Sequence, residues 1–299
     1  MAWSKADVPA AERALLALDK PCLMGRNWAR VATASGHKWT TDGNHGSADQ
    51  SATNYDADFG ADDFDQNPTK PNAAGTTWYF NMLLSGVDAL DAFALLMHNL
   101  SGKQLDLQIA DSADFATRLA TILTLTPSSN KRLVSYTLKE SGDTYAQRFV
   151  GVTYTRLKLT GASWTPQYGE VVLSRRRQLE KALLLPFAPK RYFGAVARSR
   201  SEAGVVTDVV SAKGGGRLVG TYHTNDSGQI AAYDAFFETD TDFGTLPWFW
   251  TRLPNSAPAD SRWMKFDDPG HVDESLMSTD RRYEIAATEL GPNYLALGL

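Results

Sequence analysis

The sequence predicts a mainly β protein, an N-terminal β-sandwich followed by a smaller β-rich, α+β domain. Three observations carry that expectation. Helical periodicity is scarce, short runs rich in Val, Thr, Tyr, Leu and Phe recur between Gly, Asp, Asn and Ser, and a charged run followed by two prolines interrupts the chain at Leu183 to Phe193. A length of 299 residues accommodates two ordinary domains, each able to bury its own core.

The first element is a short helix. "PAAERALLALDK" (Pro9 to Lys20) sets Ala14, Leu15 and Leu18 on one side, behind a proline that suits the first helical turn. A strand series follows. "TTWYFNMLLS" reads as a strand, "GVDALD" as a turn, "AFALLMHNL" as a strand, "SGKQ" as a turn and "LDLQIADS" as a strand. Leu105, Leu107 and Ile109 share one face there, with Asp106 and Gln108 on the other. "KRLVSYTLK", "QRFVGVTYTRLKLTG" and "GEVVLSRR" continue the series, with Tyr154, Arg156 and Lys158 alternating against Thr155, Leu157 and Leu159.

Proline donates no hydrogen bond to a strand ladder, so the chain is expected to leave the sheet near Pro186. That divides it into a helical arm (1–27), a sandwich domain (28–185) and a β-rich domain (186–299). In the last, "VVTDVVSAKGGG", "RLVGTYHTND", "LPWFWTRL", "RWMKFDDPG" and "RRYEIAATEL" read as strands, and "IAAYDAFFETDTDFG" reads as a helix. "KGGGRL" reads as a hairpin turn, because it lacks the Gly-Lys-Ser/Thr ending of a phosphate loop.

Composition excludes several function classes. A net charge of −4 with only short basic runs gives no argument for a nucleic-acid partner. A single cysteine, Cys22, allows no internal disulfide, and no signal peptide or apolar run long enough for membrane insertion is expected. The acidic stretch with Asp56, Asp58, Asp62, Asp63 and Asp65 has Asn67 where an EF-hand needs Glu, so it reads as a solvated loop and no metal site is expected. His37, His45, His98, His223 and His271 show no metal spacing, and no pair of carboxylates falls into a hydrolase motif. No enzyme activity and no cofactor are expected.

Trp78, "LLMHNLSG", "LQIADSADF" and "TYTRLKLTGASWTPQYGEVVL" stand in an order that resembles the discoidin-like, or galactose-binding-like, jelly-roll family over roughly Trp28 to Leu179. The resemblance implies sugar or lipid binding through loops at one end of the sandwich. Aromatic rings stack on sugar faces while amides hold hydroxyls, which makes His37, Trp39, Asn44, His45, Trp164 and Tyr168 the candidates for host-surface glycans. For Trp164 the competing expectation is a loop anchor set into the core.

In the second half, "RLVGTYHTND", Phe236, Phe237, "DFGTLPWFW" and "RYEIAATEL" resemble the C-terminal module of tail-tip and minor tail proteins of tailed bacteriophages. That resemblance implies a structural virion component, assembled in the host cytoplasm with other tail proteins and with copies of itself in a ring. Trp248, Phe249 and Trp250 are the candidate subunit interface, and the N-terminal helix is a candidate arm.

Overall fold

Period-two alternation is visible in the folded chain at Leu105, Leu107 and Ile109 and at Thr155, Leu157 and Leu159, where one strand face is apolar and the other polar. The computed structural model describes residues 2–30, 36–53, 57, 68–130, 132–181, 190–191, 195–200, 206–212, 216–267, 273–277 and 280–290. In chain order the elements are β1 (Ser4–Asp7), α1 (Ala10–Ala17), β2 (Cys22–Met24), β3 (His37–Thr40), β4 (Gly75–Leu83), β5 (Ala92–Leu96), β6 (Gln104–Ala110), β7 (Ala120–Leu125), β8 (Leu133–Ser135), β9 (Gln147–Val150) and β10 (Tyr154–Trp164). There follow β11 (Glu170–Ser174), β12 (Arg176–Gln178), β13 (Lys190–Arg191), β14 (Ala195–Arg200), β15 (Val206–Ala212), β16 (Gly216–Thr224), α2 (Ser227–Ala235), β17 (Trp248–Thr251), β18 (Arg262–Phe266), β19 (Asp273–Met277) and β20 (Asp280–Glu289).

Two compact units emerge. Met1–Asp19, Arg26–Arg176 and Leu253–Asp260 make the first, and Lys20–Gly25, Arg177–Arg252 and Ser261–Leu299 make the second. The first is a jelly-roll β-sandwich. A five-stranded sheet in the order β3-β4-β10-β6-β7 faces a three-stranded sheet in the order β11-β5-β8, all pairs antiparallel. Trp39, Trp78, Phe80, Leu107 and Leu157 from the larger sheet join Phe93, Leu95, Val171 and Leu173 from the smaller in one core.

The opposite face of the five-stranded sheet is polar. Lys38, Asn81, Arg156, Gln108 and Thr121 lie in one cross-strand row, and Thr40, Tyr79, Lys158, Asp106 and Thr124 in the next. Arg156 donates to Gln108 Oε1 (2.8 Å) and to Gly43 O (2.7 Å), and its guanidinium lies between the rings of Tyr79 (4.7 Å) and Phe115 (4.1 Å). Gly43 holds φ +75, and a Cβ there would stand 2.4 Å from Arg156 Nη1, so the 41–48 loop crosses this face only with glycine at that position.

The N-terminal residues are not a free arm. β1 pairs with β9, and Trp3 is buried against Phe149 at 5.9 Å. The expected helix is present as α1, with Leu16 buried, while β2 enters the sheet of the second unit. The expected boundary at Pro186 lies outside the described residues, and the division between units falls between Arg176 and Arg177.

The second unit is an eight-stranded sheet, β12-β2-β17-β18-β20-β16-β13 with β19 on β20, carrying α2. Asp226 caps α2 by accepting from Gln229 N at 2.8 Å, and the helix ends in a π turn over Phe236–Asp240, short of the expected Gly244. The turn expected at "KGGG" falls at 213–215, outside the described residues; of the strands on either side, β15 pairs with β14, and β16 with β13 and β20. Trp248, Phe249 and Trp250 are corrected. They lie in β17, a central strand between β2 and β18, and all three are buried, so the described fold consumes the proposed interface as core.

The chain passes between the units at 19–20, 25–26, 176–177, 252–253 and 260–261. A single nick within 182–189 is therefore expected to leave both fragments associated, since the N-terminal fragment supplies β2 to the second unit's sheet. Size-exclusion chromatography of chain cut at an engineered site there checks this. One native peak that resolves into two only in denaturant is expected, and two native peaks would show that the units separate.

Candidate functional site

The six residues expected to hold a glycan do not converge. Trp39 is fully buried, donates its indole N–H to Thr69 Oγ1 at 2.8 Å and meets Phe80 edge-on at 5.2 Å. Tyr168 is fully buried beside it, and burial pushes its phenol well above the usual tyrosine value. His37 is 6% exposed and stacks on Phe80 at 5.7 Å. All three are core residues of the sandwich, so none presents a ring face to a ligand in solvent.

Asn44 and His45 are spent on the 41–48 loop. Asn44 Oδ1 accepts from Gly46 N (2.7 Å), His45 N donates to Ala113 O (2.8 Å), and Lys38 Nζ donates to His45 O (3.2 Å). The His45 ring meets Tyr154 at 5.9 Å, and burial lowers its pKa from the ordinary imidazole value. Tyr154 begins the 11-residue strand β10 and Trp164 ends it, which puts His45 and Trp164 roughly 30 Å apart, beyond the reach of a single sugar ring.

Trp164, like Asn44 and His45, is partly exposed. It is half-buried, and one side packs on the sandwich core, so the anchoring expectation holds for that side. Its indole N–H is buried without a hydrogen-bond partner, closed off where a Cβ on Gly161 would stand 2.4 Å away. Lys103 runs along the same glycine, with its Cδ at the same 2.4 Å, and its ammonium lies 5.9 Å from the Trp164 ring centroid. Gly161 thus sets a tryptophan and a lysine side by side at the rim.

The rim is built from turns that close strands at one end of the sandwich. Residues 97–103 join β5 to β6, 126–130 and 132 lie between β7 and β8, 165–169 join β10 to β11, and 68–74 lead into β4. Side-chain amides tie these turns together. Asn99 Nδ2 donates to Thr165 O (2.9 Å), Asn99 Oδ1 accepts from Gln167 N (2.9 Å), and Asn130 Oδ1 accepts from Ser101 N (2.9 Å). Backbone bonds from Gly102 N to Pro127 O (2.7 Å) and Thr69 N to Tyr168 O (2.8 Å) complete the frame. Side chains on such a frame lose little further freedom when a ligand arrives.

Sequence reasoning missed Lys103, Asn99, Asn130 and Gly161. The only signal was the "SGKQ" turn, because the bonds of Asn99 and Asn130 span 66 and 29 residues. Among the described residues no group of His, Cys, Asp and Glu is arranged to hold a metal ion, and the acidic run containing Asp56, Asp58, Asp62, Asp63 and Asp65 lies outside them.

No family profile and no curated protein matches the chain. Solved structures similar to it include chitosan-binding module 1 from a chitosanase/glucanase of Paenibacillus sp. IK-5, at 12% identity and TM-score 0.36, covering 50% of this chain and 99% of the module. Chitosan-binding module 2 of the same enzyme, in complex with chitotriose, matches at 10% identity and TM-score 0.37, covering 50% of this chain and 100% of the module. A module produced by Clostridium perfringens, CpGH89CBM32-6, matches at 12% identity and TM-score 0.33, covering 50% of this chain and 99% of that one.

Proposed function

We propose that this chain is a non-catalytic binding protein whose sandwich unit takes carbohydrate at the rim formed by 68–74, 97–103, 126–130, 132 and 165–169. The observation that carries the reading is Trp164, packed on the core but partly exposed beside Lys103 on turns that Asn99 and Asn130 fasten to one another. A ring fixed from behind by the core offers its open surface to the C–H face of a sugar, and an adjacent ammonium donates to ring substituents.

Trp164→Ala is expected to lower oligosaccharide affinity at least tenfold, the scale of one lost stacking contact. Isothermal titration over an oligosaccharide panel that includes chitotriose checks this, with thermal unfolding as the control for packing. Unchanged affinity in a folded variant would remove Trp164 from the site.

A second reading keeps the chain as a structural component of a phage tail, acting in a ring with its own copies and other tail proteins. Its support is the pair β14–β15, which among the described residues pair only with each other. Strand edges of that kind serve for pairing with strands of a neighbouring subunit. Mass photometry separates this reading from the first: a closed oligomer favours it, and a monomer at micromolar concentration counts against it.

A further inference from the structure

Resting on the carbohydrate reading, we infer that the rim selects an acidic oligosaccharide, one whose carboxylate pairs with Lys103. The described residues of the four rim segments include Lys70, Lys103 and Arg132 and no Asp or Glu, in a chain whose net charge is −4. Asp49, in the segment after β3, is already engaged, accepting from Trp39 N (2.8 Å) and from Ser51 Oγ (3.0 Å). The Lys103 ammonium has no hydrogen bond or ion pair with any described residue, while its backbone N–H donates to Leu100 O.

Its position fixes what it can do. The lysine stem lies along Gly161 beside the Trp164 ring, so the ammonium is placed over the ring's surroundings rather than swinging freely in solvent. A sugar stacked on the open part of Trp164 brings its ring substituents towards that ammonium. Ammonium has three donors and no acceptor, so it binds a carboxylate through charge-assisted hydrogen bonds, binds a neutral hydroxyl more weakly and repels a protonated amino sugar. The Asn99 and Asn130 oxygens, which would otherwise balance the donors, are consumed by Gln167 N and Ser101 N.

The test is isothermal titration of the whole chain with trigalacturonate, neutral chitotriose, a cationic glucosamine trimer and inorganic sulfate. Trigalacturonate is expected to bind roughly fivefold to tenfold tighter than chitotriose at low salt, with the margin shrinking as salt rises. Lys103→Ala should erase the margin, costing trigalacturonate several-fold more affinity than chitotriose, and Lys103→Glu should shift preference to the glucosamine trimer. Equal binding of acidic and neutral trimers overturns the inference. So does a Lys103→Ala effect of equal size on both, which would mark Lys103 as mere packing for Trp164. Sulfate bound as tightly as trigalacturonate would show a general anion site and overturn the sugar requirement. If no oligosaccharide binds at all, the carbohydrate reading itself fails, an outcome distinct from loss of acidic preference alone.

Discussion

Trp248→Ala is expected to cost about 3–5 kcal/mol of stability, the range for removing a large aromatic from a packed core. Trp248 is fully buried, lies 5.3 Å from the Phe236 ring and 5.1 Å from the Phe266 ring, and sits in β17 between two other strands. Its deletion leaves a cavity lined by rings that cannot collapse onto one another without breaking the sheet. Denaturant unfolding followed by tryptophan fluorescence measures the loss. The outcome separates two roles for the same residues: a subunit interface would leave monomer stability nearly unchanged and weaken assembly, whereas core placement destabilises the chain whether or not it assembles.

Asp91→Ala is expected to be damaging by about 3 kcal/mol, the scale for removing one partner of a buried ion pair, with Glu12 left to the arginine. The Asp91 carboxylate is 1% exposed, accepts from Arg148 Nε at 2.7 Å and also accepts from Arg176 N. Arg148 continues to Glu12 Oε2 at 2.8 Å, which fastens α1 to the sandwich. Burial alone lowers the Arg148 pKa, but the nearby charges of Asp91 and Glu12 outweigh it and the net shift is upward. Arg176 is enclosed completely, donates to Tyr136 O and has Nη2 4.0 Å from Glu12 Oε2, so the partly exposed Glu12 is the carboxylate left to both arginines when Asp91 is removed. Glu12→Gln, at a 31% exposed side chain, should cost less than Asp91→Ala. Equal losses for the two would mean that α1 docking, rather than the buried carboxylate, carries the stability.

The sandwich was legible where one face of a strand carries polar side chains, even though Asp106, Gln108 and Arg156 are themselves buried. Leu105, Leu107 and Ile109 alternate with Asp106 and Gln108 because the outer face of that sheet is polar, and the same holds for Leu157 and Leu159 against Arg156 and Lys158. "HKWT" escaped because a four-residue strand with one apolar side chain looks like a loop, and the burial of Trp39 depends on β4 lying beside it. "WFWT" failed for the opposite reason. A central strand buried on both faces shows no alternation, and its aromatics resemble an exposed patch until β2 and β18 are in place. β2 itself is three residues long and far in sequence from its partners, so the interleaving of the two units had no local signature.

At the rim, Trp164 was legible as an aromatic in a Gly- and Pro-flanked turn. The residues that hold the rim together were not, since Asn99 and Asn130 act across sequence separations that no local pattern reports. Tyr168 illustrates the limit. Four residues from Trp164 and equally aromatic, it turns into the core because β11 begins two residues later at Glu170.

The most direct measurement of the central claim is a two-dimensional nuclear magnetic resonance titration of the tryptophan indole N–H signals, with the Trp164 signal assigned through Trp164→Phe. Saturating oligosaccharide is expected to shift the Trp164 signal while Trp39, Trp248 and Trp250, enclosed in cores, stay in place. Shifts confined to other indoles, or none at a concentration where binding is seen by titration calorimetry, would contradict the assignment of the ligand to this end of the sandwich.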